Sequence, residues 1–86
     1  MKELERTLKM LANRRRLAIL KYLKRTQEAP VAEIAHKINL SFKATSKHLT
    51  LLASADIVEK DQRSLQMFYR LALMHKSTVR HVLSLL

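Results

Sequence analysis

The chain has 86 residues, 48% of them hydrophobic, with 17 Lys+Arg against 7 Asp+Glu, a formal net charge of +10 at pH 7, and neither cysteine nor glycine. So short a chain supports one modest core, and its composition excludes disulfides, thiolate metal sites and every glycine-rich phosphate loop. A positive surplus of this size points to nucleic acid, more remotely to an anionic membrane surface, and no apolar run approaches the ~18 residues of a membrane span.

The N-terminal MKELERTLKM carries acids and lacks the apolar centre of a signal peptide, so a soluble cytoplasmic protein is expected. Residues 2–12 are predicted helical, with Leu4, Leu8 and Leu11 at i, i+4 and i+7. Asn13 then stands as a cap for a second helix over residues 14–25, whose apolar set is Leu17, Ile19, Leu20 and Leu23. Between Asn13 and Gln27 lie six basic residues and no acid, namely Arg14, Arg15, Arg16, Lys21, Lys24 and Arg25. Singly each reads as part of a solvated face; together they add to a positive field.

Thr26 to Pro30 interrupts the helical period as a loop, with room for a short strand around residues 29–31. A third helix follows over residues 31–38, with Ile34, Ala35 and Ile38 inward, and Asn39 stands where a tight turn needs a residue tolerant of the left-handed conformation. Ser41 is placed to cap a fourth helix running to Ala53. Thr45, Leu49 and Leu52 share its buried stripe, while Lys43, Ser46, Lys47 and Thr50 fall on the opposite side, which has no carboxylate. Two short helices joined by a turn of this length form a helix-turn-helix with the second as reader.

After Ala55-Asp56 the period becomes strand-like. Residues 57–60 and 65–71 are expected to pair as a hairpin around a loop of Asp61 to Ser64. Leu65, Met67, Tyr69 and Leu71 would share its apolar face. Lys60 and Arg63 near the tip make this a basic wing, from which Arg63 would reach an adjacent phosphate or the minor groove. A last helix is predicted over residues 73–86, with Met74, Val79, Val82, Leu83 and Leu86 apolar. The fold class expected is mainly α with a small β-hairpin: a winged helix-turn-helix of about five helices and a two-stranded wing.

Four blocks resemble the ArsR-type winged-helix repressors in order and spacing. They are Leu8 to Leu20, Val31 to Ala35, Leu40-Ser41 through Leu49 with Leu52, and Phe68-Tyr69-Arg70-Leu71, within residues 4–72. The resemblance implies a homodimeric, sequence-specific regulator of double-stranded DNA, with first and last helices as the dimer interface. Carried over by position, it makes Ser41, Phe42, Lys43, Ser46, Lys47 and His48 candidate DNA contacts. This chain departs from the family pattern in having Asp56 before the wing and Gln62 to Ser64 at its tip, where glycines are common. Phe42 replaces a polar residue and Thr45 a buried aliphatic one, which gives the core a hydroxyl in need of a partner.

Metal sensing and catalysis find little support. Where relatives carry a cysteine pair, this chain has Val31-Ala32-Glu33, and His75 and His81 lie ~240° apart around a helix that lacks carboxylates. No cofactor, metal or enzymatic activity is expected. The methionines Met10, Met67 and Met74 occupy positions compatible with packing. Phe42 and His48 sit at the edge between core and DNA, and either role suits them. The reading is a transcriptional regulator, a homodimeric repressor on an inverted-repeat operator. The alternative is a winged-helix protein-interaction or RNA-binding module with no operator of its own.

Overall fold

Two of the five helices begin where a polar cap stands in the sequence. The computed structural model describes residues 1–86. Its elements are α1 (Lys2–Leu11), α2 (Arg14–Thr26), β1 (Glu28–Pro30), α3 (Val31–Lys37), α4 (Phe42–Ser54), β2 (Val58–Arg63), β3 (Gln66–Leu71) and α5 (Ser77–Ser84). The Asn13 side chain accepts from the backbone N–H groups of Arg15 and Arg16 at 3.0 and 3.1 Å, and Ser41 Oγ from that of Ala44 at 3.1 Å. Both caps satisfy donors that the first helical turn leaves free.

Helix ends solve the problem of a chain without glycine. Asn39 adopts φ 55° and Asp56 φ 59°. Behind each, the backbone closes in the same way. Leu40 N–H donates to Ala35 O and Asn39 N–H to His36 O; Ile57 N–H donates to Leu52 O and Asp56 N–H to Ala53 O. These are paired Schellman closures, in which the left-handed residue lets two orphan carbonyls be satisfied. At the second one the apolar contact is strong, since Leu52 and Ile57 are both buried. Asn and Asp accept the left-handed region at modest cost because their short polar side chains bond locally.

The sheet has three antiparallel strands in the order β1-β3-β2, one more than the wing itself. The segment after α2 adds β1 to the inner edge of the hairpin, pairing Ala29 with Tyr69 and Pro30 with Phe68. Pro30 is tolerated because this is an edge strand, where no ladder donor is required. The hairpin is longer and tighter than the expected four-residue loop. Arg63 pairs with Gln66, leaving Ser64 and Leu65 as a two-residue turn with Ser64 at φ 54°. A positive φ there matches the twist of the flanking strands. Leu65 is therefore turn rather than strand and is 96% exposed; Tyr69 is buried, with Met67 and Leu71 half-buried.

The last helix is also shorter than predicted. Residues 72–76 form an irregular connection in which Leu73 is exposed and Met74 is exposed rather than packed, and α5 begins at Ser77. The cause lies at Ile57, whose carbonyl accepts from Ala72 N–H at 3.0 Å and has His75 Nε2 at 3.0 Å. This pairing prolongs the ladder beyond β3 and holds His75 out of a helical path. Lys76 then pairs with Glu3, fastening the start of α5 to α1.

One cluster fills the interior: Ile19, Leu20 and Leu23 of α2, Ile34 of α3, Leu49 and Leu52 of α4, Ile57, Val58 and Tyr69 at the sheet, and Val79 and Leu83 of α5. Thr45 is fully buried among them, and its Oγ1 has no hydrogen-bond partner. An unpaired buried hydroxyl carries its whole desolvation cost. Thr45→Val keeps the shape and removes that cost, so it should raise the urea midpoint, a gain of ~1 kcal/mol, with an unchanged m-value. Asp56→Val should cost ~1–2 kcal/mol in the same assay although Asp56 is exposed, because a β-branched residue is strained at positive φ.

Candidate nucleic-acid interface

α4 lies with one side in the core and the other in solvent. Thr45, Leu49 and Leu52 are buried as the periodicity requires; Lys43, Lys47 and Thr50 are exposed and Ser46 half-exposed. Neither lysine forms an ion pair with any carboxylate of the chain. Phe42, the first residue of the helix, is 60% exposed, a large apolar group with little protein around it. Ser41 directs its oxygen lone pairs to the cap, which leaves its O–H free to donate outward.

The lead-in turn is held from behind. Arg15 donates from Nη1 to Ile38 O at 2.9 Å, satisfying a carbonyl at the end of α3. Arg16, its neighbour on α2, donates from Nη1 to Met10 O at 3.1 Å and from Nε to His48 Nδ1 at 3.2 Å. The second bond fixes the histidine tautomer: Nδ1 accepts, so the ring proton sits on Nε2. Partial burial lowers the His48 pKa first, and the charges of Arg16, Arg15 and Lys47 lower it further. His48 is thus a neutral ring packed toward α2, with Nε2–H as its remaining donor. Nothing in the basic run of α2 marked Arg15 and Arg16 as positioning residues, because their targets lie 23 and 32 residues away in sequence.

Arg63 stands at the base of the wing turn and is engaged within the protein. Its guanidinium grips Glu28 in a two-pronged pair at 2.7 and 2.8 Å, bonds Asp61 at 2.9 Å, and lies 4.5 Å from the centroid of the Phe68 ring. Arg70 extends the array to Glu59 at 3.4 Å and Asp61 at 3.8 Å. The hydrogen bond from Arg63 holds the Glu28 carboxyl below its ordinary pKa, and the two carboxylates push the Arg63 pKa up. Cross-strand placement makes this possible: Glu59, Asp61 and Arg63 alternate along β2 on the side of the sheet that carries Gln66, Phe68 and Arg70. Glu28 comes from β1, and a partner supplied by a third strand had no signature in the hairpin sequence.

A family model for the bacterial regulatory protein arsR family matches residues 13–60, which spans the capped α2, the helix-turn-helix and the start of the wing. The chain belongs to the arsR family. As an arsR-family protein it is a DNA-binding transcriptional regulator rather than an enzyme. Solved structures agree in fold. Reduced HlyU from Vibrio cholerae is 31% identical with a TM-score of 0.82, covering 98% of this chain and 84% of its own. The homodimeric winged helix-turn-helix DNA-binding domain of a possible ArsR-family regulator from Mycobacterium bovis is 31% identical with a TM-score of 0.79, covering 98% and 74%. The transcriptional repressor BigR from Xylella fastidiosa is 28% identical with a TM-score of 0.78, covering 98% and 80%. No curated protein sequence matches. No helix of this arsR-family chain is long and apolar enough to cross a membrane.

The His48 geometry has a pH consequence. The folded protein binds this proton less readily than the unfolded chain does. His48 therefore contributes its full stability above the ordinary histidine pKa of ~6.5. That contribution is lost as pH falls through the lowered folded value. An NMR titration should place His48 below a free histidine, and Arg16→Ala should move its midpoint upward.

Proposed function

We propose that this regulator is a homodimeric repressor working in the cytoplasm, reading an imperfect inverted repeat with one α4 per half-site. The observation that carries it is the outer face of α4, where Lys43 and Lys47 stand exposed and without acidic partners. Two cations held there repel each other in the free protein and have no structural task. A duplex backbone supplies the missing charge. Ser41 and Ser46 add donors for phosphate or base edges, Phe42 offers an apolar surface suited to thymine methyl groups, and His48 adds Nε2–H. Arg63 reaches a phosphate only by leaving Glu28 and Asp61, so in this reading the wing exchanges an internal partner for an external one.

Dimerisation is supported by apolar surface on the terminal elements. Leu4 and Leu8 are 40% and 47% exposed along α1, where they line a shallow apolar groove with Met1 and Ala12; Leu85 is exposed beyond α5. A patch of this kind marks a partner surface. We assign the interface to helices within 2–12 and 73–86, which would set the two readers ~34 Å apart, one duplex turn.

Selection of bound duplexes from a random pool tests the reading directly: an enriched inverted repeat is expected, and no enrichment would sink it. On the selected site, affinity should fall steeply with salt, and Lys47→Ala should flatten the log–log slope by about one unit. Glu28→Gln should act in the opposite sense, steepening the slope as Arg63 is freed. In sedimentation or light scattering at micromolar concentration the wild type should be a dimer and Leu8→Glu a monomer.

A further inference from the structure

Three of the six cations noted between Asn13 and Gln27 gather away from the turn and from His48. Arg14 points to solvent, and Arg15 and Arg16 hold the turn and His48, but Lys21, Lys24 and Arg25 do neither. They converge with Lys37 of α3 around a cavity of about 520 Å³. None of the four takes part in an ion pair. Lys24 is steadied by a bond to Leu83 O at 2.9 Å, and Arg25 lies 5.7 Å from the Tyr22 ring centroid. The rest of the lining is apolar or aromatic: Ala18, Tyr22, Ile38 and Leu86. Tyr22 is itself fixed, its O–H donating to Glu33.

We infer that this cavity is a binding site for a small amphipathic anion, a carboxylate or phosphate carried on an apolar body. Its volume falls in the range of small-molecule sites, and an apolar floor with a few convergent polar groups is their usual make-up. Charge complementarity decides the sign of the ligand. Four like charges around one concavity are costly until an anion enters, and none of the four has a carboxylate within ion-pair distance. The floor decides its character, since a bare anion would leave Ile38, Tyr22 and Leu86 without a partner. The cavity also adjoins the reader: Ile38, whose carbonyl Arg15 holds, directly precedes Asn39 of the helix-turn-helix turn. An occupant would thus touch the residues that lead into α4. The inference does not depend on the operator, because octanoate binding by residues of α2, α3 and Leu86 is read without DNA and duplex binding enters only as a control.

The test is an amide NMR titration of the full chain with octanoate, alongside inorganic phosphate at equal ionic strength. Octanoate should give saturable shifts confined to the surroundings of Ala18, Tyr22, Ile38 and Leu86, with a Kd of ~1 mM as its few heavy atoms allow. Phosphate should give weaker shifts that do not saturate. The double variant Lys21→Gln/Lys37→Gln changes only exposed side chains and should raise the octanoate Kd about fivefold or more. Ala18→Trp, filling the floor, should abolish saturation. Equal responses to octanoate and phosphate, or an unchanged Kd in the double variant, would overturn the site. So would a fall of about two units in the salt slope for duplex binding by that variant, which would make these lysines phosphate contacts.

Discussion

The placement of α4 depends on one packed stripe. Thr45, Leu49 and Leu52 are completely buried against α2 and the sheet, and this fixes both the depth of the helix and its rotation. A rotation of one residue would replace the stripe by Ser46, Thr50 and Ala53 or by Ala44, His48 and Leu51, trading apolar packing for polar groups whose burial is costly. Everything on the solvent side, the paired lysines, the serines and Phe42, is oriented by what lies beneath. The arginines of α2 refine that placement from behind, one on the turn that precedes α4 and one on its histidine.

Around the stripe the structure keeps its charges in two conditions. On the outer side of the sheet Arg63 and Arg70 are shared among Glu28, Glu59 and Asp61, so most of the acids of the wing region are consumed locally. On α2 and α4 the cations are left unpaired. The net positive charge is thereby concentrated on the helices rather than spread over the wing. For a protein that meets a polyanion this separation matters, because unpaired charges act over a Debye length while paired ones act mainly on each other.

Much of this was legible in the sequence. Helix periods, the Asn13 and Ser41 caps and the buried face of α4 are local properties, and the structure reproduces them because propensity, capping and packing agree there. Asn39 was legible for the same reason: a chain without glycine has few residues that can end a helix in the left-handed region. What escaped is long-range. Glu28 meets Arg63 through a strand of three residues whose existence depends on its partner, β3. The late start of α5 depends on His75 finding the Ile57 carbonyl, and the apolar pattern of residues 73–86 carries no sign of it. The hairpin pattern placed Arg63 in the wing, but only the register showed how firmly it is held. Leu65 went astray because a strict alternation was carried one residue past the point where the strand gives way to turn.

Ile57 joins parts of the molecule that its sequence neighbours keep apart. Its N–H closes the end of α4, while its carbonyl holds Ala72 and His75 on the way to α5. A single peptide unit on each side of this residue therefore links the recognition element to the terminal helix. With its side chain buried, Ile57 has little freedom to yield. Displacing α5 along its axis must either break those bonds or drag the base of α4 with it. The joint behaves as a stiff lever arm, so whatever sets the position of the terminal helix also sets the pitch at which α4 is presented.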